Sequence, residues 1–203
     1  MFKNFLPFGG SENPSPATTT EQNNNENQNQ SPEINFVLKL RKLSVEPVSG
    51  AGSVDVKAGT IVRYIEKATG HIFEIELFSP KISRISNTTI PLSYDAVWGN
   101  KNNSLLARYL DDNNQTIDTY SLNIKNTNTT TENVTSGIIF PEKISDISVL
   151  GSTVFFLVQN SESSSGFTSN FDGAKKKQIW NSEIKELTSQ FVNEKSVALT
   201  TKP

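Results

Sequence analysis

Four short apolar runs, each opening on a serine or a threonine, recur along the chain at nearly equal spacing. They start at residues 60, 104, 153 and 196, so successive starts lie 44, 49 and 43 residues apart. The runs are rich in β-branched and aromatic residues, which favour strands: Thr60–Ile65, Ser104–Tyr109, Thr153–Val158 and Ser196–Thr201. A repeat of about 40 to 50 residues that is built on such runs is typical of the blades of a β-propeller.

Turn residues between the apolar runs predict the other strands of each repeat. In the second repeat the polar stretch 99–103 separates a strand at 94–98 from the apolar strand 105–110. In the third repeat Asp172-Gly173 is a strong hairpin signal. Residues 181–194 carry apolar side chains at helical spacing, but alignment with the other repeats favours a turn and a strand there. The sequence therefore predicts an all-β fold of four-stranded antiparallel blades.

The first and last repeats are less complete. Apolar residues alternate with others from Ile34 to Leu40, the period-two pattern of a strand. The glycine-rich segment 49–53 follows, before the first apolar run. The last repeat reaches Pro203 in the middle of a blade. We expect a partial propeller over residues 34–203, with about three to four blade units and a truncated C-terminus.

The N-terminal part of the chain differs in composition from the rest. Residues 9–33 are rich in Asn, Gln, Thr, Pro and Gly and show no apolar periodicity, so they predict a disordered polar linker that acts as a flexible tether. Residues 1–8 are partly apolar but are interrupted by Pro7, and they indicate either the remnant of a membrane anchor or a frayed apolar terminus. No apolar stretch in the sequence is long enough to span a bilayer.

Composition excludes several classes of chemistry. The formal net charge is −2, which gives no basis for a nucleic-acid partner. The chain has no cysteine, so disulfides, thiolate zinc sites and cysteine nucleophiles are excluded. His71 is the only histidine, which excludes a zinc site with several histidine ligands from this chain. We expect no catalytic residue, no metal and no cofactor, and the sequence does not identify ligand-binding residues.

Three short motifs suggest chemistry but have simpler explanations. His71 and Glu74 resemble half of a metal motif, yet residues three apart on a strand face opposite sides. Asp111-Asp112 could serve a calcium or glycosidase site, but the two asparagines that follow make this a turn sequence. The basic run Lys175–Lys177 is short, and we expect it to form a solvated strand face that protects a sheet edge.

Two of the hairpins resemble a known class of propeller. Residues 98–109 resemble the strand–turn–strand unit of TolB-like and WD-repeat-like propellers, in which an aromatic residue precedes a polar turn and an apolar strand. Residues 171–180 are similar to the next hairpin of those families, in which Asp-Gly precedes a basic strand. Together with residues 62–75, they make the segment 34–203 resemble uncharacterised bacterial propeller proteins that carry an N-terminal membrane anchor and a polar tether. The resemblance implies a membrane-associated protein that faces outside the cytoplasm.

The function expected from this fold is a non-enzymatic interaction module that binds a protein, a peptide or a glycan through its loops. Two alternatives stay open. A propeller glycosidase would need two carboxylates from different blades to converge, and the candidates are Glu66, Glu74, Asp95, Asp111, Asp118 and Asp146. A structural fragment would be completed by missing blades in the same or another chain, and it would expose apolar strand edges at residues 34–43 and 196–201.

Overall fold

The computed structural model describes residues 40–79, 81–111, 116–124 and 134–202, with only the backbone of residues 134–136. The chain divides into residues 1–40 and 41–203, and every described strand lies in the second unit. The predicted anchor, the predicted linker and most of the predicted strand Ile34–Leu40 lie outside the described residues.

The described residues form fourteen strands in four antiparallel sheets. Sheet A holds β1 (Val48–Val56), β2 (Gly59–Glu66), β3 (Ile72–Glu76) and β4 (Ile82–Arg84). Sheet B holds β5 (Ser93–Gly99), β6 (Ser104–Leu110), β7 (Ile117–Ile124) and β8 (Val134–Ile139). Sheet C holds β9 (Ile144–Leu150), β10 (Thr153–Gln159), β11 (Ser164–Asn170) and β12 (Lys177–Ser182). Sheet D holds β13 (Leu187–Asn193) and β14 (Ser196–Thr201).

Each strand pairs with the next strand in sequence, so every sheet is an up-and-down meander. The prediction of an all-β chain with four-stranded antiparallel sheets is confirmed for sheets A, B and C. The strand predicted within residues 181–194 is also confirmed, because β13 occupies this segment.

The four apolar runs of the sequence are the second strands of the four sheets. Leu105 and Leu106 of β6 and Phe155 and Phe156 of β10 are all buried. Because neighbouring side chains of a strand point to opposite faces, a strand that is packed on both faces needs apolar residues at consecutive positions. Each such Phe or Leu side chain contributes about 1.5–3 kcal/mol to stability.

Three apolar cores lie between successive sheets. The core between sheets A and B includes Ile65 of β2 and Leu105 of β6. The core between sheets B and C joins Leu106 of β6 to Phe156 of β10. The core between sheets C and D joins Phe155 of β10 to Leu187 of β13. The sheets therefore pack against one another in the order of the chain.

The first strands of successive sheets also touch: β1 contacts β5, β5 contacts β9, and β9 contacts β13. The glycine-rich segment 49–53 lies inside β1 because this contact is close. A Cβ atom added at Gly50 would lie 2.2 Å from the carbonyl oxygen of Ala96 in β5. The sequence pattern alone did not assign this segment to a strand, since the reason for its small residues lies in another sheet.

Two other segments of the chain refine the sequence prediction. The polar stretch 99–103 is a turn, and Asn100, Lys101 and Asn102 in it have φ values of 50°, 52° and 60°. The serine-rich composition of residues 160–166 is typical of a connection between strands, but β11 begins within this segment at Ser164. Gly166 in this strand has to be small, because an added Cβ atom would lie 2.7 Å from the Phe155 ring.

Candidate functional site

An open groove of about 890 Å³ lies at one end of sheets B, C and D. First strands begin and second strands end at this end of each sheet, because neighbouring strands are antiparallel. The groove is lined by polar and charged residues from these strand ends: Tyr94, Arg108, Asp111, Thr116, Ile117, Asp118, Glu142, Lys143, Ile144, Ser145, Gln159, Asn160, Glu186 and Lys202. The meander topology thus brings together residues that are far apart in sequence.

Arg108 lines this groove with a largely buried side chain, which is only 12% exposed. Its Nη2 donates a hydrogen bond of 2.9 Å to the carbonyl oxygen of Ile144, which leads into sheet C. Its Nη1 lies 3.8 Å from Oδ2 of Asp95, so the ion pair is long. The Nε atom is buried and has no hydrogen-bond partner within the described ranges. Arg108 is therefore held in place by its contacts with sheet C and Asp95.

Tyr94 lies under Arg108 in the groove wall. The guanidinium carbon of Arg108 is 5.3 Å from the centre of the Tyr94 ring, which is a cation–π contact. Burial raises the pKa of Tyr94 above its ordinary value of 10.0, and the charge of Asp95 raises this pKa further while Arg108 opposes both effects. The phenol is therefore neutral at neutral pH and keeps its proton as a hydrogen-bond donor.

The six carboxylates proposed for glycosidase chemistry separate into two groups. Asp111 and Asp118 line the groove, where they are joined by Glu142 and Glu186. The other four are outside that lining set: Glu66, Glu74, Asp95 and Asp146.

All four of these outlying carboxylates have structural partners, and the partner of Asp95 is Arg108. Glu74 Oε2 lies 2.7 Å from Nη2 of the buried Arg63. Asp146 Oδ2 accepts two hydrogen bonds of 2.6 Å from the backbone N–H and the hydroxyl of Ser189 in sheet D. Glu66 accepts a hydrogen bond from the hydroxyl of Thr69. Glu74 and Asp146 thus support packing between strands and sheets.

The motif around His71 forms part of a hairpin. The His71 backbone N–H donates a hydrogen bond of 3.1 Å to Oγ1 of Thr69, and β3 begins at the next residue. Glu74 of the same motif is held by Arg63. Across the part of the chain that the structure describes, no three His, Asp or Glu residues are grouped so that they could hold a metal ion.

The Asp111 and lysine motifs also have structural roles. Oδ1 of Asp111 accepts a hydrogen bond of 3.1 Å from the backbone N–H of Thr116, as the predicted turn requires, while Asp112 lies outside the described residues. Lys177 begins the outer strand of sheet C. Lys175, Lys176 and Lys177 are all exposed, and the ammonium of Lys176 also lies 4.8 Å from the centre of the Phe167 ring.

A second cavity, of about 500 Å³, lies on the outer face of sheet A. The segment 42–48 lines it together with Val62 and Tyr64 of β2. Arg41 fixes the start of this segment, since its Nη1 donates to the carbonyl oxygens of Leu77 and Ser79 at 3.1 and 2.7 Å. The structural alternative predicted an exposed strand edge at residues 34–43, but the described residues 40–43 are not in a strand.

Arg108, Glu142 and Glu186 line the groove but were not singled out in the sequence. Each one lies at or near the end of a strand, and no motif connects them. The useful signal would have been the repeat itself, because equivalent strand ends in successive repeats must meet at the same end of neighbouring sheets.

No protein-family model matches the chain, and a comparison with curated proteins finds no similar sequence. Among the described residues there is no helix with the length and hydropathy that a membrane span needs. The candidate functional site is therefore the groove at the ends of sheets B, C and D.

Proposed function

We propose that the chain is a non-enzymatic interaction module, built as a partial β-propeller, whose groove binds an extended peptide. Two contacts support the radial arrangement of the sheets. The first strands of successive sheets touch one another, and the second strands of sheets B and C are enclosed between neighbouring sheets. In a propeller the first strands surround a common axis, and the loops at one end of the blades form a binding surface. A crystal structure with the sheets aligned end to end as one flat sheet would contradict this arrangement.

The observation that carries the binding proposal is the mixed charge of the groove. Four carboxylates and three cationic side chains line it: Asp111, Asp118, Glu142, Glu186, Arg108, Lys143 and Lys202. Because Arg108 is already paired with Asp95, the remaining lining charges are predominantly negative. A peptide with lysine or arginine side chains and free backbone carbonyl groups complements such a surface.

A glycan fits the same groove less well. Sugars bind proteins largely through stacking on exposed aromatic rings, and Tyr94 is the one aromatic residue among the described lining residues. One face of its ring is covered by the Arg108 guanidinium. These features favour a peptide over a glycan.

The proposal places the module outside the cytoplasm, where residues 9–33 act as a tether and residues 1–8 belong to an anchor. Its support is the polar composition of the tether and the resemblance to anchored bacterial propellers. Fractionation of cells that produce the whole chain tests it: the protein should sediment with membranes and be digested by protease added outside the cytoplasmic membrane. Recovery in the cytoplasmic fraction would contradict it.

Selection from a random-peptide library on the immobilised protein tests the binding proposal, with a glycan array run in parallel. We expect enriched peptides to be basic and to lose at least about tenfold in affinity against Glu142→Gln or Asp118→Asn, since charge-assisted contacts are worth about 1.5–3 kcal/mol each. Glu46→Gln, on an exposed carboxylate outside the groove lining, is the matched control and should bind normally. Binding to glycans alone, or equal losses in the control, would overturn the peptide assignment.

The second candidate function is glycoside hydrolysis, which the presence of Asp111, Asp118, Glu142 and Glu186 in one groove favours. A panel of chromogenic aryl glycosides tests it directly. The binding module should release no chromophore above the uncatalysed rate. Turnover that is abolished by Asp118→Asn and retained by Glu46→Gln would instead support the enzyme.

A further inference from the structure

The residue immediately before the first strand has the same backbone conformation in three successive sheets. Leu92 precedes β5, Lys143 precedes β9 and Glu186 precedes β13. Their φ values are 57°, 63° and 54°, which lie in the left-handed region that residues other than glycine adopt only rarely. The repeat therefore places one side chain per sheet at an equivalent turn, at the end of the sheets where the groove lies.

Backbone hydrogen bonds hold two of these turns in the same way. The carbonyl oxygen of Lys143 accepts a hydrogen bond of 3.0 Å from the N–H of Gln159, at the end of β10. The carbonyl oxygen of Glu186 accepts one of 2.6 Å from the N–H of Lys202, directly after β14. The surrounding structure thus fixes the left-handed backbone, and with it the direction in which each side chain leaves the chain. Lys143 and Glu186 both line the groove, whereas Leu92 does not.

Lys143 and Glu186 occupy equivalent positions of neighbouring first strands. The backbone N–H of Ser189 donates to Oδ2 of Asp146, and a second hydrogen bond between β13 and β9 follows two residues later. Both bonds join residues that are 43 positions apart. The same offset (186 − 143 = 43) separates Lys143 from Glu186. The two side chains therefore stand side by side where sheets C and D meet.

Gln159 links these two residues directly. Its backbone N–H donates to the carbonyl oxygen of Lys143, and its Nε2 donates to Oε1 of Glu186 at 3.2 Å. A single glutamine thus spans the separation, which is comparable to the distance of about 7 Å between alternate residues of an extended chain. Within the described part of the chain, neither Lys143 nor Glu186 forms an ion pair, and both are exposed. Both charges are therefore available to a ligand.

The charges beside the first strands alternate in sign from sheet B to sheet D. Asp118 lies in β7, and the connection that contains Glu142 is hydrogen-bonded to the carbonyl oxygen of Thr119 in the same strand. Lys143 follows at the start of sheet C, and Glu186 lies at the start of sheet D. The order is therefore acidic, basic, acidic. A complementary ligand carries basic, acidic and basic groups in that order.

We infer that Lys143 and Glu186 determine which peptide the groove selects, namely an extended segment with the charge pattern Lys-x-Asp-x-Lys. This inference rests on the proposed peptide-binding function and adds the charge order of the ligand to it. Alternate side chains of an extended segment point to the same side, so all three charges face the groove. The acidic side chain lies against Lys143, and one basic side chain lies against Glu186. The other basic side chain lies against Glu142.

Peptides of one composition and different charge order test the inference. The probe is the capped peptide Ser-Lys-Ser-Asp-Ser-Lys-Ser, whose charge order is the same in both chain directions. The controls are Ser-Lys-Ser-Lys-Ser-Asp-Ser and Ser-Asp-Ser-Lys-Ser-Lys-Ser. Titration of the ¹⁵N-labelled whole chain, followed by NMR chemical shifts, gives the three affinities. The probe should bind at least about threefold more tightly than either control, because each control places two charges against groove charges of the same sign.

Exchange of the two groove charges should change the preferred order. The double variant with Lys143→Glu and Glu186→Lys keeps the net charge, and both turns already accommodate these residue types. One of the two controls should then bind at least about threefold more tightly than the probe, and which control it is gives the chain direction of the bound peptide. A double variant that still prefers the probe would contradict the assignment.

Glycine variants separate ligand selection from turn formation. The double variant with Lys143→Gly and Glu186→Gly keeps both turns, since glycine adopts positive φ freely, and it should unfold at the same or a higher urea concentration than wild type. It should bind the three peptides equally. Leu92→Gly is the matched control, because Leu92 has the same conformation outside the groove lining, and it should keep the preference for the probe.

The outcomes distinguish this inference from the proposed function. If wild type binds the three peptides equally while basic library peptides still bind the groove, the inference is wrong and the peptide-binding function stands. If the double glycine variant keeps the full preference for the probe, the two left-handed residues serve the turns alone. If no peptide binds wild type, both the inference and the proposed function are wrong.

Discussion

Sheets C and D differ most clearly at their second strands. Phe155 and Phe156 of β10 are buried on opposite faces, one in the core with sheet D and the other in the core with sheet B. In β14 only the face with Val197 and Leu199 packs against another sheet. Both strands belong to the same repeat pattern, yet β10 is packed on both faces, whereas among the described residues β14 packs on one face and pairs with one strand.

This difference explains the composition of the two runs. Residues 154–158 are apolar without interruption, whereas Ala198 and Thr200 alternate with larger apolar residues in β14. A strand forms in both cases, so continuous apolar character reports packing on two faces rather than strand formation. The fourth run should therefore tolerate substitution better than the third.

The largest expected loss of stability comes from removing the aromatic ring of Phe156, which packs between sheets B and C. Phe156 stacks with Phe167 at 5.5 Å and meets the edge of Phe140. Phe156→Ala should destabilise the protein by about 3–5 kcal/mol, because the cavity cannot collapse between two sheets. Leu199→Ala in β14 should cost about 1–2 kcal/mol, since the half-exposed site already has water nearby. Urea unfolding gives the free energy of unfolding of both variants. An equal loss of stability in the two variants would contradict the difference in packing between β10 and β14.

Removing the hydrogen bonds between Asp146 of sheet C and Ser189 of sheet D should have an intermediate effect on stability. Asp146→Ala deletes the acceptor for the backbone N–H and the hydroxyl of Ser189, so we expect a loss of about 1–3 kcal/mol. The amides of sheet D should then exchange faster than those of sheet C. Asp172→Ala, which removes a single exposed turn hydrogen bond to Ala174, is the matched control. Faster exchange throughout sheet C would mean that the two sheets unfold as one unit.

The ammonium of Lys176, which lies over the Phe167 ring of sheet C, should contribute less to the free energy of unfolding. Lys176→Met keeps most of the side-chain stem but loses the cation–π contact with Phe167, and we expect a loss of about 0.5–1 kcal/mol. Lys177→Met on the outer strand should change unfolding stability by less than about 0.5 kcal/mol. Chemical denaturation at low and high salt compares the two variants. A larger loss for Lys177→Met would reverse the roles assigned to these lysines.

The smallest expected effect is on the stability of the folded protein at alkaline pH. The pKa of Tyr94 is raised above 10.0 in the folded protein, mainly by burial, so its neutral form is favoured there. The unfolded chain therefore loses this proton first as pH rises, and stability falls through the window from about pH 10 upward to the folded pKa. Tyr94→Phe should reduce this fall, whereas Tyr120→Phe serves as the control. Identical alkaline profiles for wild type and Tyr94→Phe would contradict the assignment.

The central strands and turns of sheets B and C were predictable from the sequence because their signals are local. Apolar runs mark β6 and β10, and Asp172-Gly173 forms the predicted turn, with a φ of 74° at Gly173. β1 was not predictable in the same way, since the glycine at position 50 is required by the carbonyl of Ala96 in another sheet.

The groove and the directions of the β14 amides depend on contacts that sequence spacing does not report. Arg108 and Ile144 meet only because β6 ends where β9 begins, at the same end of neighbouring sheets. The repeat predicted β14, but not which of its amides face outward. That assignment required the hydrogen bonds of Lys202 and Ser189.

Amide hydrogen exchange of the protein tests most directly whether β10 is enclosed and whether β14 is paired on one side only, as it is among the described residues. We expect the amides of Phe155, Phe156 and Leu157 to exchange only through global unfolding. In β14, Val197 and Leu199 should exchange rapidly, while Ala198 between them is protected by β13. Uniform protection along β14, equal to that of β10, would contradict the account.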